Sequence, residues 1–237
     1  AKIVEILHRA GIELESLYSH QAKAIDALLD GRNIVVTTAT ASGKSLCFNI
    51  PVLQEVVDPV GAGLDLRTEA KAIYIYPTKA LAQDQLRALR RLATPWLAPE
   101  AVAVLDGDTA FRDRSLVEKE ASVILTNPDM LHATLLPGHS RLRNFLSRLS
   151  FVVLDEAHMY HGAFGAHVAM VMRRLRRLCE LYGARPRWVC CSATIWDPTG
   201  HAGRLTGLPA SDFVAVTEDG SPCGARRLVL WNPPLKD

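Results

Sequence analysis

The chain has 237 residues, room for one large domain with an appendage but scarcely for two full ones at about 100–200 residues each. Hydrophobic residues make up 49% and charged residues 22%, a composition that excludes disordered, collagen-like and coiled-coil classes. Lys and Arg total 27 against 25 Asp and Glu, so at a net charge of +2 any surface for a polyanion is local.

In chain order, short β-branched runs stand at Ile34–Ala39, Ala72–Tyr76, Ala101–Leu105, Ser122–Thr126, Phe151–Leu154 and Trp188–Cys191. They read as buried strands separated by segments of 3.6-residue apolar period. One such helix spans Thr78 to about Leu92; another spans Phe164–Tyr182, with Val168, Val171, Met172, Leu175, Leu178, Cys179 and Tyr182 on its inner stripe. Alternating strands and helices predict an α/β fold, a mainly parallel sheet covered on both faces. Asp58–Thr68 reads as a Pro/Gly loop and Leu136–Ser140 as a tight turn. Near the end, Phe213–Thr217 and Arg227–Trp231 flank the turn-rich Glu218–Ala225, which predicts a β-hairpin.

Five scattered cysteines, Cys47, Cys179, Cys190, Cys191 and Cys223, show no C-x-x-C or Cys/His ligand spacing, so no zinc site is expected and the thiols read as reduced. The apolar runs are strand-length, too short for a membrane span, and the expected location is cytoplasmic. Arg173–Arg177 reads as the solvated face of its helix, having no interleaved aromatic for base stacking.

Two motifs carry chemistry. The first strand runs into Thr38-Ala39-Thr40-Ala41-Ser42-Gly43-Lys44-Ser45 and then a helix, the layout of a phosphate loop whose first glycine is replaced by Thr38. Backbone N–H groups of Thr40, Ala41, Ser42 and Gly43 and the helix amino terminus would cradle phosphate. Lys44 would neutralise its oxygens and Ser45 would hold Mg²⁺. The apolar Phe151–Leu154 then delivers Asp155-Glu156-Ala157-His158 to a strand's carboxyl end, where α/β sheets bind ligands. Asp155 can share the Mg²⁺ with Ser45, and Glu156 can orient and deprotonate an attacking water. Together they point to hydrolysis of ATP or GTP, with Glu156, Lys44 and Asp155 as the catalytic set.

Thr38–Ser45, Asp155–His158 and Ser192-Ala193-Thr194 resemble motifs I, II and III of superfamily 2 DEAD/DEAH-box helicases, within their first RecA-like P-loop domain. The resemblance extends from Tyr18 to Thr194. It implies that Gln21 in Tyr18-Ser19-His20-Gln21 reads adenine and so selects ATP, and that His158, Ser192 and Thr194 couple hydrolysis to nucleic-acid grip. It further implies that Thr78 and Lys79, Gly107 and Asp108, and Thr126 and Asn127 contact the sugar-phosphate backbone of a single strand. Longer stretches, among them TTATASGKSLCFNIPVL and DEAHMYHGAFGAHVAMVMRRL, look like the MrfA-type bacterial DNA repair helicases, related to Hrq-type, RecQ-like enzymes. That group implies 3′→5′ movement on DNA, with a second RecA-like domain beyond this chain. Residues 1–33 are then read as amino-terminal helices, 34–210 as the ATP-binding domain, and 211–237 as a hairpin and the start of a linker. Two other readings stay open at this stage: an RNA helicase domain, and a nucleotide-gated binding module without productive hydrolysis.

Overall fold

The computed structural model describes residues 17–39, 42–57, 69–94, 96–222, 224 and 229–231. The expected loop Asp58–Thr68 lies outside them. Seven strands form one sheet: β1 (Asn33–Thr37), β2 (Lys71–Ile75), β3 (Val102–Val104), β4 (Val123–Thr126), β5 (Leu149–Leu154), β6 (Arg187–Ser192) and β7 (Phe213–Val216). Their spatial order is β3-β4-β2-β5-β6-β1-β7 and every pairing is parallel. The helices are α1 (Ser19–Leu29), α2 (Lys44–Val57), α3 (Lys79–Ala93), α4 (Phe111–Glu120), α5 (Pro128–Met130), α6 (Arg143–Ser147), α7 (Gly162–Leu181) and α8 (Pro198–Thr206).

Both faces of the sheet are buried, which explains why the strands read as unbroken apolar runs instead of alternating ones. Ile34, Val36, Tyr74, Phe151, Val153, Val189 and Cys191 face a core that includes α1, α2 and α3. Their neighbours Val35, Ile73, Ile75, Val152, Leu154, Trp188 and Cys190 face the core under α6, α7 and α8. Tyr74 is buried with its hydroxyl satisfied, donating to Asn49 Oδ1 at 3.0 Å. A largely buried ion pair closes one end of the core under α1 and α2: Arg187 pairs with Glu55 of α2, donates to Leu28 O at 2.9 Å, and lies 4.0 Å over the Phe151 ring.

Strand β7 departs from the expected hairpin. It pairs in parallel with β1, Asn33 opposite Phe213 and Val36 opposite Val216, and so forms an edge of the main sheet. The crossover through α8 leaves Phe213 and Val216 with an apolar bed, and burying them there outweighs pairing with a neighbouring strand. Of the expected second arm, Arg227 and Leu228 lie outside the described residues and Val229–Trp231 form no strand.

Candidate nucleotide site and nucleic-acid groove

Strand β1 ends at Thr37 and α2 begins at Lys44, so Thr38–Gly43 is a loop fed by a strand and emptying into a helix amino terminus. Thr40 and Ala41 lie outside the described residues. The Thr38 and Ser42 hydroxyls are 2.6 Å apart. Gly43 has φ +77°, a backbone conformation that favours glycine, and a Cβ there would stand 2.7 Å from Gln21 Nε2 and push that amide aside. Gln21 is buried; it donates to Gly43 O at 3.1 Å and accepts from Tyr18 N at 3.0 Å. Lys44 donates to Thr38 O at 2.9 Å and to Ala39 O at 2.7 Å, carbonyls that take the place of phosphate oxygens. Ser45 is half-buried on the first turn of α2.

Asp155 follows β5 and accepts from Glu156 N at 2.8 Å. Burial pushes its carboxyl up to about 6; Glu156 adds to the rise, while the Glu156 amide and Lys44 oppose it. A desolvated carboxylate of this kind is chemically suited to a divalent cation, and Asp155 and Ser45 are the oxygen-bearing side chains that could hold one. Glu156 has φ +51° and ψ 41°, the sole non-glycine with positive φ among the described residues. That left-handed kink ends the strand and turns consecutive carboxylates apart; such strain is found where function holds it.

His158 Nδ1 accepts from Ala193 N at 3.3 Å. The ring proton therefore sits on Nε2, and the 3.4 Å approach of Nδ1 to Glu156 Oε2 is no hydrogen bond in the neutral ring. A second tie, absent from the sequence reading, joins His201 Nε2 to Ala157 O at 2.8 Å. Together the two histidines fasten the turn at Ala157–Met159 to β6 and α8. Ser192 is fully buried with an unpartnered hydroxyl and Thr194 is exposed; neither caps α8, whose cap is Asp197, accepting from Gly200 N at 3.0 Å.

The residues expected on nucleic acid divide. Thr78 caps α3, its hydroxyl accepting from Leu81 N at 3.3 Å, and remains exposed. Lys79 donates to Asp108 Oδ1 at 2.9 Å, a bond that raises the lysine above its ordinary value. Asn127 caps α5 through a 2.9 Å bond from Met130 N. Thr78, Lys79, Gly107 and Asn127 line one groove of about 410 Å³ with Pro77 and Arg114. Thr126 does not join them: it is 0% exposed and donates to Leu105 O at 2.7 Å, because β4 needs that bond to hold the loop after β3. Arg114 was not foreseen; it donates to Thr109 O at 3.0 Å, and only the loop's fold brings it to the groove. Asp106 builds that loop, accepting from Asp108 N and Thr109 N at 2.9 and 3.1 Å.

No helix among the described residues is long and apolar enough to cross a membrane. The profile of the DEAD/DEAH box helicase family matches residues 18–199. The chain is 44% identical over 230 residues to the ATP-dependent helicase HRQ1 of Saccharomyces cerevisiae, covering 95% of this chain and 20% of that protein. It is 40% identical over 234 residues to the uncharacterized ATP-dependent helicase YprA of Bacillus subtilis, covering 99% of this chain and 30% of that one. The crystal structure of the DUF1998 helicase MrfA bound to DNA and AMPPNP superposes with a TM-score of 0.83 at 40% identity, over 94% of this chain and 30% of that chain. The chain thus spans about a fifth of the length of the fungal relatives it matches.

Proposed function

This chain belongs to the DEAD/DEAH box helicase family, and from that premise we propose that it is the ATP-hydrolysing part of a DNA-repair helicase that moves 3′→5′ on single-stranded DNA. The observation that carries the reading is the approach of two motifs: Lys44, at the head of α2 after the phosphate loop, lies near enough to Asp155 after β5 for its charge to lower that carboxyl's pKa. Lys44 exchanges the Thr38 and Ala39 carbonyls for β- and γ-phosphate oxygens. Ser45 and Asp155 hold Mg²⁺, which when bound neutralises charge on those oxygens. Glu156 orients a water and takes its proton. Gln21 sits against Gly43, near enough to the loop to meet the base of a bound nucleotide. Support for DNA comes from the named relatives, since MrfA was crystallised with DNA. A cytoplasmic setting belongs to the same reading, supported by the free, buried thiols of Cys47, Cys179, Cys190 and Cys191.

Two carboxylate-side groups and one lysine leave the γ-phosphate short of positive charge, and superfamily 2 resemblance supplies the rest from a second RecA-like domain in the longer protein. Residues 34–210 act as the ATP-binding unit, with 211–237 leading towards that domain. The deciding experiment compares ATP turnover with single-stranded DNA, with RNA and with neither. DNA should stimulate it, and Glu156→Gln should lower it by about 10²–10⁴-fold while nucleotide binding persists. Stimulation by RNA alone overturns the DNA assignment; single-turnover hydrolysis unchanged in Glu156→Gln turns the reading to a nucleotide-gated binding module.

A further inference from the structure

The segment that follows β7 returns across the molecule to the phosphate loop. Asp219 Oδ2 accepts from Ala39 N at 3.1 Å, at the loop's start. Gly220 N donates to His20 Nδ1 at 3.2 Å. Because Nδ1 accepts, the imidazole proton lies on Nε2, and Nε2 donates to Ser42 O at 3.0 Å, near the loop's end. His20 is 1% exposed, so the imidazole ends of both bonds are shielded from water. Asp219 is itself fixed by Ser221, whose amide and hydroxyl donate to Oδ1 at 2.9 and 2.6 Å and hold the carboxyl below its usual range. Gly220 lies so close to α1 that a Cβ would collide with the Ser19 hydroxyl.

We propose that Glu218–Ser221 is a brace for the phosphate loop, with Asp219 and, through Gly220, His20 as positioning residues that set the two flanks of Thr40–Ala41 at the spacing phosphate binding needs. The inference rests on the ATP-site reading above and extends it. Its physical basis is pre-organisation. A loop lacking the usual first glycine is held directly by Asp219 at Ala39 and, at Ser42, by His20 of α1, which Gly220 in turn holds, so less ordering is left for the nucleotide to impose.

The test uses the 237-residue chain, with Mg²⁺ and AMPPNP titrated by calorimetry and ATP turnover followed in parallel. Asp219→Ala removes a charge-assisted bond to the loop and should weaken AMPPNP binding about tenfold. Gly220→Ala lifts the brace without deleting any group near phosphate and should weaken it in the same direction. In both, KM for ATP should rise by more than kcat falls. Asp219→Glu should restore part of the loss, and Lys23→Ala, which removes only the exposed Lys23–Glu218 pair at 3.1 Å, should change nothing. Affinity within twofold of the parent in both Asp219→Ala and Gly220→Ala overturns the brace, as does a lowered thermal midpoint with unchanged affinity. If instead the parent shows no AMPPNP binding that Lys44→Ala abolishes, the ATP-site reading itself falls and the brace falls with it.

Discussion

Asp155 illustrates at the scale of one residue how burying a carboxylate is a cost to the fold. Its carboxyl is raised from 3.8 to about 6, chiefly by burial, so the native state holds the proton more tightly than the unfolded chain does. The stabilisation is complete below pH 4 and is lost as pH rises through about 6. Asp155→Asn, uncharged throughout and still able to accept from Glu156 N, should therefore be more stable than the parent at pH 8 by about 1–3 kcal/mol. The gap should close towards pH 4; urea unfolding at pH 4, 6 and 8 measures it, and a gap independent of pH would refute the assignment. For the same reason Mg²⁺-dependent AMPPNP affinity of the parent should fall as pH is lowered through 6, since the cation needs the ionised carboxylate. The candidate residues were legible in the sequence, because Lys44 opens the helix after the first strand and Asp155 and Glu156 follow another, places where packing gives a charge no employment. Thr126 was legible in position but not in purpose: a hydroxyl after a strand looks the same whether it faces a ligand or a neighbouring carbonyl.

Among elements, the strands were readable because both faces of the sheet are covered, and a continuous apolar run records that directly. What a strand pairs with is not a local property. Phe213–Val216 has a hairpin's sequence surroundings, yet it pairs with β1, whose residues lie some 180 positions earlier. Asn33 shows how such distant pieces are registered: its side chain accepts from Trp188 N at 2.9 Å and donates to Asp212 O at 3.3 Å, aligning the starts of β1, β6 and β7. Arg187 does the corresponding work between layers, joining β6 to Glu55 of α2 and to the end of α1. The pair is largely buried, so truncating one member strands the other's charge. Arg187→Ala should cost about 3–5 kcal/mol, and adding Glu55→Gln to it should recover part of that loss. Chemical denaturation of the two single variants and the double variant supplies the cycle; additive losses would show that the pair does not act as a unit.

At the scale of the whole molecule, a net charge of +2 sets how the chain can hold a polyanion. The groove beside α3 offers Lys79 and Arg114 as its cations, and Lys79 is already engaged by Asp108. Binding of single-stranded DNA should accordingly depend weakly on salt, with a log–log slope of about −1 to −2, since each neutralised phosphate of a single strand contributes about −0.7. A slope steeper than about −4 would place the strand elsewhere. The sheet order has one more consequence, and it concerns time. Both neighbours of β1, namely β6 and β7, are encoded more than 150 residues after it. A chain emerging from the ribosome can pair β2, β3, β4 and β5 while β1 still waits, and the strand that carries the phosphate loop is seated only once β6 and β7 have been made. Refolding followed by pulsed hydrogen exchange should show the amides of Ile73 and Val152 protected before those of Val35 and Val36. The nucleotide site would thus be the last part of the domain to be born, and ATP could bind only a chain whose sheet had closed.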